Sequence, residues 1–206
     1  MLGLFAVLTT NLIAGTYLGT ADRIAEAQRA AQQKALLEIV PLERHNNSML
    51  DDLIPVGPQS AGLGLRKPAN IHVARLNGAP VAVIIPATAP DGYSGDIDII
   101  VGINVDGSVA GVRAIAHKET PGLGDKVELK KSDWVLDFDG RSLADPTPER
   151  WGVKKDQGIF DQFTGATITP RAVTAAVKRA LEYFAANRDS LLVPILAAST
   201  GENTDG

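Results

Sequence analysis

A threonine-rich stretch before a predicted helix is the part of this sequence best suited to chemistry. It runs DQFTGATITP over residues 161–170 and leads into a helical pattern. Thr169 suits the N-cap of that helix and Pro170 suits its first position. The free N–H groups of the first turn and the helix dipole then face Thr167, where both favour a phosphate group. The stretch is a candidate phosphate site, with the alternative that its threonines only cap the helix.

Other sequence signatures of chemistry are absent. The chain has no GxGxxG after a predicted strand, no GxxxxGK[ST] loop and no HExxH helix, so dinucleotide, P-loop and zinc-protease sites of those types have no support. The tetrapeptide Gly92–Gly95 (GYSG) is one residue short of a nucleophile elbow. The histidines at 45, 72 and 117 are too scattered for a metal site. We therefore assign no catalytic residue and no metal ligand.

The composition excludes further functional classes. A net charge of −4 and an aromatic content of 5% argue against a nucleic-acid-binding surface. The absence of cysteine excludes disulfides, iron–sulfur ligation and thiol nucleophiles on this chain. With 206 residues, 45% of them hydrophobic, the chain can bury one ordinary core and still carry an extra segment.

Residues 1–21 predict a transmembrane helix. The first charged residue is Asp22, and a helix of this length spans about 30 Å, which matches the apolar core of a bilayer. Two alternatives stay open: a cleaved signal peptide, which usually has a shorter apolar region and a basic start, and a buried core helix, which usually keeps a polar face. Arg23 follows the span directly beside Asp22, so the charges do not indicate an orientation.

Helical patterns follow the predicted span and close the chain. Residues 22–40 are rich in Ala, Gln, Glu and Leu and predict a helical stalk that Pro41 ends. Residues 170–187 predict the last helix. Its apolar face comprises Val173, Val177, Ala180, Leu181 and Phe184. The end of the C-terminal tail, STGENTDG at 199–206, is expected to be disordered.

Between the helices the sequence predicts an antiparallel sheet. Strands at 71–75 and 81–86 flank Asn77-Gly78, and strands at 96–105 and 108–117 flank Asp106-Gly107, which are strong hairpin signals. Residues 41–68 and 87–97, rich in Pro and Gly, are expected to be loops. Residues 125–138 suggest a helix or mixed segment, and 139–158 an irregular one. The fold class is α+β: an N-terminal transmembrane helix (1–21), a helical stalk (22–41), one domain with an antiparallel sheet and flanking helices (42–190), and a tail (191–206).

Three motifs in register carry a resemblance to a known family. The run Asp161-x-x-Thr164-Gly165-Ala166-Thr167 resembles the motif at which the periplasmic flavin transferase attaches FMN. The decapeptide HKETPGLGDK at 117–126 resembles a second hallmark of the same FMN-binding domain, and GYSG at 92–95 resembles a third. Their order, together with the N-terminal span and TADRIAEAQR, is similar to the G subunit of the Rnf ion-translocating electron transport complex. The C subunit of the sodium-pumping NADH:quinone reductase is a close relative of that family.

The resemblance implies specific roles for the residues in these motifs. It implies FMN attached through its phosphate to Thr167, with Asp161 serving recognition by the transferase. It also implies that the 117–126 loop lies against the flavin, so that Glu119 and Thr120 reach the edge of the ring and the glycines let the backbone approach it. The alternative is a tight turn with a solvated Lys126. The implied cofactor-binding set is Thr164, Gly165, Ala166, Thr167, Glu119, Thr120, Gly122, Leu123, Gly124 and Lys126.

The function that the resemblance implies is electron relay within a membrane complex. FMN carries one electron at a time, and the chain is expected to tether it rather than to turn over a soluble substrate by itself. The implied partners are other membrane subunits of the complex and the flavin transferase, at the bacterial inner membrane with the FMN domain on the periplasmic side. The alternatives are a non-redox membrane-anchored adaptor subunit, a secreted binding protein and a stand-alone flavoenzyme; the last lacks a nicotinamide fingerprint.

Overall fold

The fold is an antiparallel sheet with one long helix against each face. The computed structural model describes residues 2–193, although the side chains of residues 2, 4, 5, 7, 8, 11–19, 21, 22 and 25 lie outside that description. The helices and strands are α1 (Leu2–Ile39), β1 (Leu53–Val56), β2 (Ala69–Leu76), β3 (Ala79–Gly92), β4 (Gly95–Asn104), β5 (Val109–Ala116) and α2 (Ile168–Leu191). Single 3-10 turns cover Leu42–Arg44, Gly124–Val127, Asp133–Phe138, Pro148–Arg150 and Lys154–Asp156.

The sheet is a meander in which each strand pairs with the next one along the chain. The strand order is β1-β2-β3-β4-β5, and all four pairings are antiparallel. Asn77 and Gly78 join β2 to β3 with positive φ angles of 54° and 83°, as a type I′ turn requires. The α+β class and both predicted hairpins are therefore confirmed.

The two loops predicted at 41–68 and 87–97 were partly wrong. The first contains β1, and the second is mostly strand, because β3 continues to Gly92 and β4 begins at Gly95. Pro90, Gly92 and Gly95 suggested a loop over 87–97. The pairing of β2 with β3 ends at Ile84, so the remainder of β3 pairs only with β4. A strand that is free on one side tolerates residues without an N–H group.

The main hydrophobic core lies between α2 and one face of the sheet. The predicted apolar face of α2 is buried, including Val177 and Ala180, which are fully inaccessible to solvent. Strands β3 and β4 supply the facing side chains, among them Ile85 and Ile97. Helix α2 is thereby fixed across the sheet, with its first turn at one end of the strands.

The end of α1 packs against the opposite face of the sheet. Leu36, Ile39 and Val40 are buried against residues of β2 and β3. Gly102 lets Ile39 approach closely, since a Cβ at this position would overlap the Ile39 side chain. The predicted helix over 22–40 is confirmed, and it ends at Ile39, just before Pro41.

Two predicted segments fall largely outside the described residues. Residues 2–21 of the span predicted at 1–21 form the first part of α1, but most of their side chains are not described, and residue 1 lies outside the described residues. Among the residues that are described, no helix is both long and apolar enough to cross a membrane. Of the tail predicted at 191–206, residues 194–206 lie beyond the described part, while Arg75 Nη1 donates a hydrogen bond to the carbonyl oxygen of Val193 (2.7 Å).

Thr174 on α2 offers a test of the core. Its side chain is buried, and its hydroxyl has no hydrogen-bond partner within residues 2–193. A buried hydroxyl without a partner costs free energy, so Thr174→Val should raise the free energy of unfolding by about 1 kcal/mol. Urea unfolding of both full-length proteins measures the difference. A clearly less stable variant would show that the hydroxyl has a partner that the structure lacks.

A buried histidine, His72, connects α1 to the sheet. Its Nδ1 donates to the carbonyl oxygen of Met49 (2.8 Å), and its Nε2 lies 3.1 Å from the amide nitrogen of Gln32 on α1. The carbonyl can only accept, so Nε2 is unprotonated and accepts from the amide. Burial lowers the pKa of His72 below its ordinary value of 6.5, although the hydrogen bond to Met49 opposes this effect.

Because the pKa of His72 is lower in the folded state, the unfolded chain binds the proton more readily below about pH 6.5. The free energy of unfolding should therefore fall as the pH drops from about 7.5 to about 5.5, and His72→Gln should show a smaller fall. Unfolding curves of the two proteins at both pH values make the comparison. An equal pH dependence in the two proteins would remove His72 as its source.

Candidate functional site

Three loops meet at the edge of the sheet where α2 begins. The β3–β4 hairpin turns at Tyr93-Ser94, and the register pairs Asp98 of β4 with Ala116 of β5. The start of β4 and the end of β5 therefore lie at the same edge. The segment 117–126 leaves β5 there, and the segment 161–167 enters α2 beside it. The fold thus brings together the three motifs singled out in the sequence.

A cavity of about 380 Å³ lies between these loops. Seven of the ten predicted cofactor-binding residues line it: Glu119, Thr120, Leu123, Gly124, Gly165, Ala166 and Thr167. The other three, Thr164, Gly122 and Lys126, are not part of its wall. The cavity also contains residues absent from the predicted set, Tyr93, Ile168 and Thr169. The GYSG motif was the sequence signal for Tyr93. Thr169 was noticed only as a helix cap, and Ile168 carried no separate signal.

Thr167 occupies the N-cap of α2, but its side chain does not cap the helix. Its backbone is helical (φ −75°, ψ −27°), and its carbonyl oxygen accepts from Arg171 N (3.3 Å). Its hydroxyl makes no hydrogen bond among the described residues. The N–H groups of Ile168 and Thr169 lie in the first turn, where a helix leaves its donors free. The hydroxyl is thus available for chemistry at the positive end of a 24-residue helix.

The predicted cap at Thr169 is wrong. Helix α2 begins two residues earlier than predicted, at Ile168, so Pro170 is the third helical residue rather than the first. Thr169 is fully buried, and its hydroxyl donates to Oε2 of Glu119 instead of accepting from the helix backbone. A buried carboxylate binds a hydroxyl donor strongly, which explains why the side chain takes this partner.

A tight turn sets the path of the chain into Thr167. Ala166 N donates to the carbonyl oxygen of Phe163 (3.0 Å), and Gly165 at the third position has φ +80°. A type II turn requires a positive φ there, which explains the glycine. Thr164 is the exposed second residue of this turn.

Buried aromatic rings hold the turn against the domain. Phe163 is buried edge-to-face against Trp134, with the ring centroids 5.0 Å apart. The indole N–H of Trp134 donates to the carbonyl oxygen of Asp161 (2.8 Å). Edge-to-face aromatic pairs stabilise a fold by more than the burial of their apolar area alone. The segment before Thr167 is therefore anchored at both Asp161 and Phe163.

The loop after β5 is closed by its own hydrogen bonds. Leu123 N and Gly124 N both donate to the carbonyl oxygen of Thr120 (3.1 Å each). Gly122, with φ +79°, donates its N–H to Oδ1 of the buried Asp125 (2.8 Å). These bonds hold the backbone of the loop in the wall of the cavity, and Gly122 serves the turn rather than the wall.

Charged residues near the start of α2 are paired with one another. Arg171 makes two hydrogen bonds to Asp156 (2.6 and 2.9 Å), which lower the pKa of Asp156 and raise that of Arg171. Lys154 lies 2.7 Å from Asp161. Both pairs are substantially exposed to solvent, so each contributes little to stability. Both ion pairs lie on the solvent-exposed side of the segment that leads to Thr167.

The arrangement suits a phosphorylated ligand with a flat apolar part. The unpartnered hydroxyl and the first turn of α2 provide for a phosphate. Three exposed apolar side chains, Tyr93 (67% exposed), Leu123 (41%) and Ile168 (44%), provide apolar surface around the cavity. FMN, which the sequence motifs imply, has both a phosphate group and a flat ring.

Comparison with known proteins identifies two family models in the chain. The FMN-binding domain matches residues 92–182, which include the GYSG hairpin, the loop after β5 and Thr167. The RnfG N-terminal region matches residues 1–39, which correspond closely to α1.

Several curated relatives align with nearly the whole chain. The G subunit of the ion-translocating oxidoreductase complex of Pseudomonas aeruginosa is 54% identical over 96% of this chain and 92% of its own length. The G subunits of the same complex from Pseudoalteromonas atlantica and Shewanella loihica are 51% and 48% identical, each over 93% of this chain and 88% and 90% of their own lengths. Among solved structures, the C subunit of the Na⁺-translocating NADH-quinone reductase from Parabacteroides distasonis aligns with a TM-score of 0.45 and 20% identity, over 63% of this chain and 65% of that chain.

Proposed function

This chain belongs to the family of G subunits of ion-translocating oxidoreductase complexes, and we propose that it relays electrons in such a complex through FMN joined by a phosphoester to Thr167. The observation that carries the attachment site is the Thr167 hydroxyl. It has no partner within the described residues, it lies at the N-terminus of α2, and it borders the cavity. A helix N-terminus stabilises the phosphate that such an ester contains.

The residues around the cavity have separate tasks in this proposal. Bound FMN supplies one-electron transfer chemistry. Thr167 is the tether, and the N–H groups of Ile168 and Thr169 compensate the phosphate charge. Tyr93 and Leu123 exclude water from the apolar part of the ligand, and Thr120 offers a hydroxyl to its polar edge. None of these residues needs to act as an acid, a base or a nucleophile, so the chain requires no catalytic turnover of its own.

The N-terminal part of the chain is proposed to be the membrane anchor. Residues 1–21 carry no charge, and α1 runs without interruption from Leu2 to Ile39. The end of α1 is joined to the sheet by buried side chains and by a hydrogen bond between Arg113 Nε and Glu38 (3.1 Å). A helix rises about 1.5 Å per residue, so the 22–39 part gives a stalk of about 27 Å. In this proposal the flavin domain lies on the periplasmic side of the bacterial inner membrane, beside the other membrane subunits, as the resemblance to the G subunits implies.

The flavin transferase is the proposed partner for maturation. In this proposal the transferase uses FAD and a divalent metal: the Thr167 oxygen forms an ester bond with the FMN phosphate, the pyrophosphate bond of FAD breaks, and AMP leaves. In the structure the Asp161 side chain is exposed and pairs only with the exposed Lys154 among the described residues, so an enzyme can reach it. Thr164 and Gly165 of the turn Phe163–Ala166 are exposed, and Thr167 after it is partly exposed.

Intact mass and peptide mapping of the full-length chain test the proposal. The protein is produced in membranes with and without the transferase. With the transferase we expect the added mass of FMN less one water, and the modified peptide should contain Thr167. A bare polypeptide from cells that flavinylate a known substrate would favour the non-redox adaptor subunit. Mapping to another residue would keep the flavin but remove Thr167 as its site.

A further inference from the structure

Glu119 is a buried carboxylate whose two oxygens each bind a different loop. Its side chain lies in the cavity wall, and the residue is 5% exposed. Oε1 accepts from the N–H of Ser94, at the tip of the β3–β4 hairpin (2.9 Å). Oε2 accepts from the hydroxyl of Thr169, in the first turn of α2. We call this set of three residues, Ser94, Glu119 and Thr169, the carboxylate clasp.

The main chain of Glu119 is held as firmly as its side chain. The Glu119 N–H donates to Nδ1 of His117 (3.1 Å), so this ring nitrogen carries no proton. The proton of the neutral ring is then on Nε2, which donates to Glu128 (3.0 Å). The His117 side chain is 10% exposed. The loop after β5 therefore presents the Glu119 carboxylate in one orientation.

Gly124, in the same loop as Glu119, lies directly against the clasp. A Cβ on this residue would overlap Oε2 of Glu119 and lie 2.9 Å from the Thr169 hydroxyl. Real Cβ atoms do not approach other atoms so closely, which explains the glycine in this position. Because Gly124 has no side chain, it leaves the space in which Glu119 and Thr169 form their hydrogen bond.

Burial gives the clasp its strength. A buried carboxylate is strongly unfavourable unless donors satisfy it, so neither donor can leave without a large cost. The hairpin tip and the first turn of α2 consequently keep their positions relative to the loop after β5. Tyr93 adjoins Ser94, and Thr167 lies two residues before Thr169, so the clasp holds two residues of the cavity wall in place.

We propose that Glu119 is a positioning residue of the flavin site, which holds Tyr93 and Thr167 around the flavin ring through Ser94 and Thr169. The proposal rests on the flavin attachment to Thr167. It assigns Glu119 a contact with the protein rather than with the ring edge, because both of its oxygens already bind protein donors.

Two substitutions at Thr169 test this role without changing any charge. Thr169→Val removes the donor to Glu119, whereas Thr169→Ser keeps it. Thr174→Val is the matched control, since it removes a buried hydroxyl from the same helix that has no partner among the described residues. The full-length proteins are made with the transferase, and iodide quenching of the flavin fluorescence reports how far solvent reaches the ring. We expect severalfold stronger quenching in Thr169→Val only, with Thr169→Ser and Thr174→Val close to the wild type.

The outcomes separate the positioning role from the attachment itself. If the wild-type protein carries no adduct, the result contradicts the proposed function and therefore also the role of the clasp. Wild-type protein with the adduct and Thr169→Val with unchanged quenching contradicts the positioning role alone. Equal changes in Thr169→Val and Thr169→Ser also contradict it, because the hydroxyl is then not responsible. The folded Thr169→Val protein could also lose the adduct while Thr169→Ser keeps it. That result supports the proposal that the clasp positions Thr167.

Discussion

Thr167→Ala should remove covalent flavin from the chain completely. The substitution deletes the only atom through which the proposed phosphoester forms, so the effect is all-or-none rather than a change in affinity. It should leave the fold intact, because the Thr167 hydroxyl makes no hydrogen bond among the described residues and alanine tolerates the helical backbone at this position. Fluorescence of the denatured full-length protein in a gel, together with its intact mass, measures the adduct after production with the transferase.

Thr120→Ala is the matched control for this experiment. Thr120 is another exposed threonine in the wall of the same cavity, but it lies outside the 161–167 segment. We expect Thr120→Ala to keep the adduct and to shift the midpoint potential of the flavin, since it removes a hydroxyl beside the ring. An adduct of unchanged mass on Thr167→Ala would show that another residue carries the flavin.

Gly124→Ala should have the largest effect on stability among the substitutions considered at the site. The new Cβ would overlap the Glu119 carboxylate and crowd the Thr169 hydroxyl. Both groups are buried and hydrogen-bonded to each other, so they cannot move aside without losing partners. We expect the free energy of unfolding to fall by about 1–3 kcal/mol, the usual range for forcing extra volume into a packed site.

Gly152→Ala provides the control for the general effect of replacing glycine. The nearest atom to a Cβ at Gly152 is 4.0 Å away, and neither Gly152 nor Gly124 has a positive φ. Alanine in such an unstrained position usually stabilises a protein by about 0.4–1 kcal/mol, because it restricts the unfolded chain. Thermal or urea unfolding of the two variants should therefore change in opposite directions. If Gly124→Ala were as stable as Gly152→Ala, the contact between Glu119 and Thr169 would be looser than the structure indicates.

The parts of the fold that were predicted correctly depend on residues close together in the chain. The type I′ turn follows from the backbone preferences of Asn77 and Gly78 themselves. The buried face of α2 follows from helical spacing, which places residues such as Val173 and Val177 on one side. The β3 strand was missed after Pro86, because whether a strand tolerates proline depends on which neighbour pairs with it.

The same distinction applies within the candidate site. The motifs containing Thr167 and Glu119 were recognisable in the sequence, and the structure brings them to one cavity together with Tyr93. Thr169 was misinterpreted as a helix cap, because its true partner, Glu119, is 50 residues away along the chain. Local preference for an N-cap contributes about 1 kcal/mol, which a hydrogen bond to a buried carboxylate exceeds.

The sequence by itself determined the helices, the hairpin turns and the family of this protein, because each depends on residue types at short, regular separations. Only the tertiary structure decided which side chain binds which partner around the cavity: that the Thr167 hydroxyl is left without one among the described residues, and that Glu119 joins Ser94 to Thr169. The physical reason is burial. A buried carboxylate needs hydrogen-bond donors, and it binds those that the folded chain places next to it. These donors come from distant parts of the sequence, so the residues adjacent to the carboxylate in the chain do not predict them.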